Sequence, residues 1–211
     1  MEPKGLLIFL HGYGSDPDYV LAQAGPFEAA GFEVVAPEAP DHGSRGGGGL
    51  SPDDWEALAR HAMATVAAWV EELAAALPRW QAERGLPLYA AGFSMGAYVW
   101  HELISRRLTR PAAAALIGMG AIPNVSVPAG VELPTARAAA YPPLPLLQVH
   151  GRADEVVPLA SVERTLAALA PAYNEYPGRL ALLTLENVGH ELTPEMAAMA
   201  AAWLARWRAD A

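Results

Sequence analysis

The 211-residue sequence has no cysteine. Disulfides, thiolate metal sites and a cysteine nucleophile are thereby excluded, and a cytoplasmic location is the expectation. Lysine is nearly absent too. Of 14 basic residues Lys4 is the only lysine, and the arginines are scattered, with only Arg106 and Arg107 adjacent. Against 23 acidic residues this leaves a formal net charge of −9. Nucleic acid and anionic membrane surfaces both favour a basic patch, so neither is an expected partner, and no basic cluster marks a site for CoA phosphates. Long apolar runs are missing as well, so no membrane span is expected. The opening MEPKGLLIFLHG is not expected to act as a signal peptide. A single lysine precedes a short apolar core, and a His-Gly turn stands where a small-residue cleavage site is needed. What is present is 53% hydrophobic and 18% charged residues, a globular composition with enough length for one domain and its core.

Short apolar runs alternate with longer helical stretches. Residues 5–10, 32–37, 86–93, 112–120, 144–151 and 180–187 form runs suited to strands buried on both faces of a parallel sheet. Between them, Ser51-Pro52-Asp53-Asp54 reads as a helix start, with a cap, a proline at the first helical position and two acids complementing the dipole. Trp55, Leu58, Ala62, Val66, Trp69, Leu73 and Leu77 then recur at steps of three or four and define one apolar face. A last helix opens at Thr193-Pro194-Glu195, and residues 18–30, 95–108 and 159–170 read as shorter helices. The alternation predicts an α/β domain with a mostly parallel sheet. Two segments interrupt it. Residues 41–50 are glycine-rich, and 121–143 are rich in proline and alanine, with a short helix expected around 134–140. Loops of that length often border sites.

One pentapeptide carries chemistry. Gly92-Phe93-Ser94-Met95-Gly96 follows a predicted strand and precedes a predicted helix. In that context the flanking glycines permit a sharp turn, the Ser94 hydroxyl is exposed at the carboxyl edge of the sheet, and the amide of Met95 points to the same space near a helix N-terminus. The alternative is a glycine-flanked serine in an ordinary tight turn, so a base, an acid and an anion site must come from elsewhere.

Of the six histidines, His61 and His101 fall within predicted helices as surface or partly buried side chains. His42 sits in the glycine-rich loop without further support, while His150 and His11 end strands and are expected to brace turns. His190 differs: it follows the last predicted strand and precedes the last helix cap, which puts it at the same sheet edge as Ser94 and within reach as a general base. One strand earlier, HGRADEVVP supplies Asp154 as the acid; Glu155 is expected to face away. Glu186, four residues before His190, is the rival, but it is too near in sequence to orient the ring. The order Ser94, Asp154, His190, each after a strand, is the nucleophile–acid–histidine order of this architecture. HGYGSDP, at the end of the first strand, has the small residues that let amides approach a ligand, and the amides of Tyr13 and Met95 are the expected oxyanion hole. Tyr13, Met95 and Val157, with parts of 121–143, are expected to line an apolar pocket.

These segments resemble a known family. FLHGYGSDP, APEAP, AAGFSMGAYVW, LLQVHGRADEVVP and VGHELTPEM run in the order found in the α/β-hydrolase superfamily, and more narrowly in the phospholipase/carboxylesterase group that includes the acyl-protein thioesterases. The resemblance implies a single α/β-hydrolase domain over 1–211. It would have a mostly parallel sheet of about six strands, helices on both faces and no large cap domain. It implies Ser94 as nucleophile, Asp154 as acid, His190 as base, the amides of Tyr13 and Met95 at the oxyanion, and no metal or organic cofactor. The expected activity is hydrolysis of a small-molecule acyl ester by a monomer or homodimer. Two departures stand out. The family often has glutamine directly after the serine, where this chain has Met95, a residue also seen in cofactor-free perhydrolase-like enzymes. The loop before the long helix offers SRGGGG in place of an aromatic motif. Alternative readings are a lysophospholipase or acyl-thioesterase of the same family, or a non-catalytic ligand-binding protein on the same fold.

Overall fold

The protein is described by a computed structural model over residues 2–46, 55–123, 130 and 132–208. Six strands form one sheet: β1 (Gly5–Leu10), β2 (Phe32–Val35), β3 (Leu88–Phe93), β4 (Ala114–Ile117), β5 (Leu146–Gly151) and β6 (Leu180–Leu185). All pairings are parallel, in the order β2-β1-β3-β4-β5-β6. Each apolar run contributes its strand, and the strands are shorter than the runs at one or both ends except in β1. The surplus residues enter the turns. The central strands β1, β3, β4 and β5 are buried throughout, because helices cover both faces and both side-chain parities meet apolar neighbours.

On one face pack α3 (Trp55–Arg84), α4 (Met95–Ser105) and α5 (Leu159–Leu169). There Leu6, Ile8 and Leu10 meet Trp69, Val70, Leu73, Trp100 and Leu103. On the other face lie α1 (Pro17–Leu21), α2 (Gly25–Ala29) and α6 (Pro194–Arg206), where Leu7 and Phe9 meet Phe27, Met196, Ala200 and Leu204. Burial of one such large side chain contributes about 1.5–3 kcal/mol. The Thr193 hydroxyl caps α6 by accepting the Met196 amide at 3.2 Å, as its Thr-Pro-Glu start predicts. The Ser51–Asp54 start of α3 lies outside the described residues.

Three expectations change. The helix predicted over 18–30 is two short helices. Pro26 has no amide to donate to an earlier turn, so it cannot continue α1 and instead sits in the first turn of a new helix. The helix expected near 134–140 is a 3-10 helix, Pro134–Ala140. His101 is fully buried on α4, with Nδ1 3.0 Å from the Tyr141 hydroxyl and Nε2 2.8 Å from the Gln148 amide nitrogen. That internal pairing ties the segment after the 3-10 helix to α4.

The strand order has one reversal with functional weight. From β1 the chain moves outward to β2, then returns across β1 to β3. The crevice beyond the carboxyl ends of β1 and β3 is the topological switch point of such a sheet, where loops diverge and leave room for a ligand. HGYG leaves β1 there, and Ser94 leaves β3 there.

Candidate active site

Ser94 joins β3 to α4 with φ 52° and ψ −119°, a conformation that L side chains rarely adopt. Its amide donates to the Ile117 carbonyl at 2.8 Å, which holds the turn against β4. The turn is sharp enough that its glycines are obligatory. A Cβ on Gly92 would come within 2.6 Å of the Gly96 carbonyl carbon, and one on Gly96 would overlap the Leu10 carbonyl. Beyond it α4 begins, its first turn closed by the Ala97 amide on the Ser94 carbonyl at 2.9 Å.

His190, on the loop between β6 and α6, brings Nε2 to 2.9 Å from Ser94 Oγ. Its Nδ1 lies 2.8 Å from Asp154 Oδ2. A carboxylate accepts, so Nδ1 carries the proton and Nε2 is left to accept the serine hydroxyl. The imidazole packs on Phe93, with ring centroids 5.2 Å apart. The Leu192 amide, two residues on, donates to the Tyr19 hydroxyl at 3.1 Å, which ties the histidine loop to α1.

Asp154 is almost wholly buried. Its Oδ1 accepts the amides of Val156 at 3.0 Å and Val157 at 2.7 Å. Burial alone would raise this carboxyl. The hydrogen bond from His190, the Val157 amide and the nearby imidazoles outweigh it and hold the group below its usual value. The acid and histidine loops are joined directly, since the Ala153 amide donates to the Val188 carbonyl at 3.0 Å. Behind the carboxylate, buried His150 donates from Nε2 to the Val157 carbonyl at 2.8 Å, and the same nitrogen lies 3.5 Å from Asp154 Oδ2. Burial lowers the His150 pKa. Glu155 is exposed, and Glu186 pairs with Arg152 at 2.8 Å, away from His190.

The crevice opens on a cavity of about 210 Å³ reached by Ser94 and His190. Tyr13, Met95 and Val157 line it, and so does Pro123 from the proline-rich segment. The sequence reading missed the wall supplied by α3, through Leu58, Ala59, Ala62 and Met63. Leu58 and Ala62 belong to the apolar stripe, but its periodicity does not separate cavity wall from core. Tyr98 from α4 also lines the cavity, and burial raises its hydroxyl pKa well above the usual value.

The loop after β1 is braced on several sides. Buried His11 accepts the Ala39 amide at Nε2, at 3.1 Å, and burial lowers its pKa. The Tyr13 hydroxyl lies 2.8 Å from Nδ1 of His61, whose Nε2 is 3.8 Å from Asp41. His42, placed by sequence only in a loop, holds Gly14. Among the described residues, no group of three or more His, Asp or Glu side chains is arranged to hold a metal. No helix among them is long and apolar enough to cross a membrane.

A parallel sheet with a strained serine turn at its carboxyl edge defines the α/β-hydrolase class. The structure of TT1662 from Thermus thermophilus superposes with a TM-score of 0.87 at 34% identity, over 100% of this chain and 91% of that one. The Zea mays acyl-protein thioesterase 2 structure shares the fold at a TM-score of 0.68 and 20% identity, over 99% and 96%. Esterase YjfP of Escherichia coli (strain K12) is 28% identical over 92% of this chain and 85% of its own length. The profile of the Phospholipase/Carboxylesterase family matches residues 1–208. The chain belongs to that family of ester hydrolases.

Proposed function

We propose that the protein is a serine carboxylesterase that cleaves small to medium acyl esters through an acyl-enzyme on Ser94, with the whole chain, 1–211, acting as one unit. The observation that carries this reading is the continuous chain from Ser94 Oγ to His190 at 2.9 Å and on to Asp154 at 2.8 Å, opening on an apolar cavity. His190 Nε2 takes the Ser94 proton as Oγ attacks the ester carbonyl. Asp154 fixes the tautomer and stabilises the imidazolium. The carbonyl electron pair moves to oxygen, where the amides of Tyr13 and Met95 receive it. Collapse expels the alcohol, which His190 protonates. His190 then deprotonates water, whose attack releases the carboxylic acid and frees Ser94.

The cavity supports the substrate class. At about 210 Å³ it lies below the roughly 300–1,000 Å³ of pockets for drug-sized ligands, and its lining is largely apolar. It suits a short or medium acyl chain; a long fatty chain would have to leave it. Met95 adds an apolar side chain to the wall while its backbone donor is unaffected by residue type.

A fluorophosphonate probe should label the wild type and leave Ser94→Ala unlabelled. Labelling that persists in Ser94→Ala would overturn the assignment, and folded wild-type protein that resists every serine-directed probe would favour a binding role. Across nitrophenyl esters, turnover should peak at short to medium acyl chains; a peak at long chains contradicts the proposed substrate class.

A further inference from the structure

His42 takes no part in the Ser94–His190–Asp154 chain, yet it is buried and both ring nitrogens are engaged. Nδ1 is 2.9 Å from the Pro40 carbonyl, which can only accept, so Nδ1 carries the proton. Nε2 is then an acceptor, and the Gly14 amide donates to it at 2.9 Å. Gly14 is the third residue of a tight turn closed by the Ser15 amide to the Gly12 carbonyl at 3.3 Å, and its φ is +70°. Positive φ at that place marks a type II turn. Types I and II differ by a flip of the middle peptide, which here joins Tyr13 to Gly14, and His42 holds the N–H of that peptide.

The turn borders the nucleophile: a Cβ on Gly12 would come 3.3 Å from Ser94 Cβ. Its second residue is Tyr13, whose amide is the expected oxyanion donor and whose ψ carries any flip. The Tyr13 ring is clamped in the same arrangement, edge-on to His42 at 5.1 Å, with its hydroxyl at His61. His42 itself is backed by the His11 ring at 5.6 Å. A buried acceptor thus fixes the turn in one peptide orientation next to the reacting centre.

We infer that His42 is a positioning residue of the esterase reaction: by holding the Tyr13–Gly14 peptide it locks the turn, and with it the preceding Gly12–Tyr13 peptide whose N–H serves the oxyanion. The inference rests on Ser94 as nucleophile and Tyr13 as oxyanion donor. The test pairs His42→Asn with His42→Gln. Glutamine's longer side chain can present a carbonyl oxygen near the place of Nε2, whereas asparagine falls short of Gly14. Kinetics on nitrophenyl butyrate are combined with inhibition by an alkyl trifluoromethyl ketone. In that adduct Ser94 Oγ bonds to the ketone carbon, the carbonyl pair becomes an alkoxide, and the serine proton passes to His190.

His42→Asn should lower kcat roughly 10–100-fold with KM within about threefold, and weaken the ketone by the same factor as kcat/KM. His42→Gln should recover most of both losses. Wild-type kcat in His42→Asn, unchanged ketone affinity despite lost turnover, or equal losses in both variants would overturn the inference. Ser94→Ala runs alongside. Turnover that survives in it removes the underlying esterase reading, whereas Ser94-dependent turnover indifferent to His42 removes only this inference. If His42→Asn fails to fold, the wild type decides: a nitrogen–nitrogen coupling across the Gly14 N–H to His42 Nε2 hydrogen bond is expected by NMR, and its absence overturns the inference.

Discussion

Ser94 carries a conformation that costs about 1–3 kcal/mol in a residue with a side chain. Glycine adopts it without that penalty. Ser94→Gly should therefore abolish turnover and raise unfolding stability by about 1 kcal/mol, read from urea denaturation; a stability loss would contradict the strained-turn account. The serine was legible in the sequence because the glycines around it are dictated by backbone collisions that leave no other choice at Gly92 and Gly96. Asp154 and His190 were legible from their places after successive strands. His42 was not. A lone histidine in a glycine-rich loop has no periodicity, and its partner Gly14 lies 28 residues away. The full burial of His101 was hidden for a related reason: its partners, Tyr141 and Gln148, come from elements whose packing no local pattern reveals.

Among the elements, α3 has two tasks along one stripe. Val66, Trp69, Leu73 and Leu77 enter the core, while Leu58, Ala59, Ala62 and Met63 line the cavity, where Val66 also reaches and Met63 still packs against the core. Periodicity found the stripe, but it does not record where the opposing surface ends, so the change from core to cavity wall was illegible. Ala62→Leu adds three carbons inside that wall. One methylene in a hydrophobic site is worth roughly 10–200-fold in discrimination. The substitution should therefore lower kcat/KM for a hexanoyl ester at least about 10-fold relative to acetate, measured on nitrophenyl esters. An unchanged ratio would mean the acyl chain lies elsewhere.

For the whole molecule, three buried histidines link stability to pH. His101 is pushed down to about 3 by burial, and His11 and His150 are lowered for the same reason. Each is neutral when folded and gains a proton on unfolding near 6.5. Because the folded values are depressed, the contribution is complete above pH 6.5 and is lost as pH falls towards the folded values. The slope is up to about 1.4 kcal/mol per pH unit for each histidine. Glu102 opposes this, since burial raises its carboxyl and protonation relieves it. Asp154, held low, adds its loss only at more acid pH. Urea midpoints should fall steadily from pH 6.5 to 5 and stay level above 7; a flat profile across the acid range contradicts the buried neutral rings. The sheet class was legible from the alternation of apolar runs. The β2-β1-β3 reversal was not legible there, because strand order is set by long-range pairing.

The links that join Ser94 to His190 and His190 to Asp154 span 96 and 36 residues of chain. No local segment can recreate them, and long-range pairings form slowly because loop closure must precede them. Helices such as α3 and α4 can regain their dichroism from local contacts soon after dilution from denaturant. The Ser94 hydroxyl acquires its base only once β4, β5 and β6 are all in place. Reactivity toward a fluorophosphonate should therefore lag the far-ultraviolet signal during refolding and rise with the last native phase, making the reacting serine a clock for completion of the sheet.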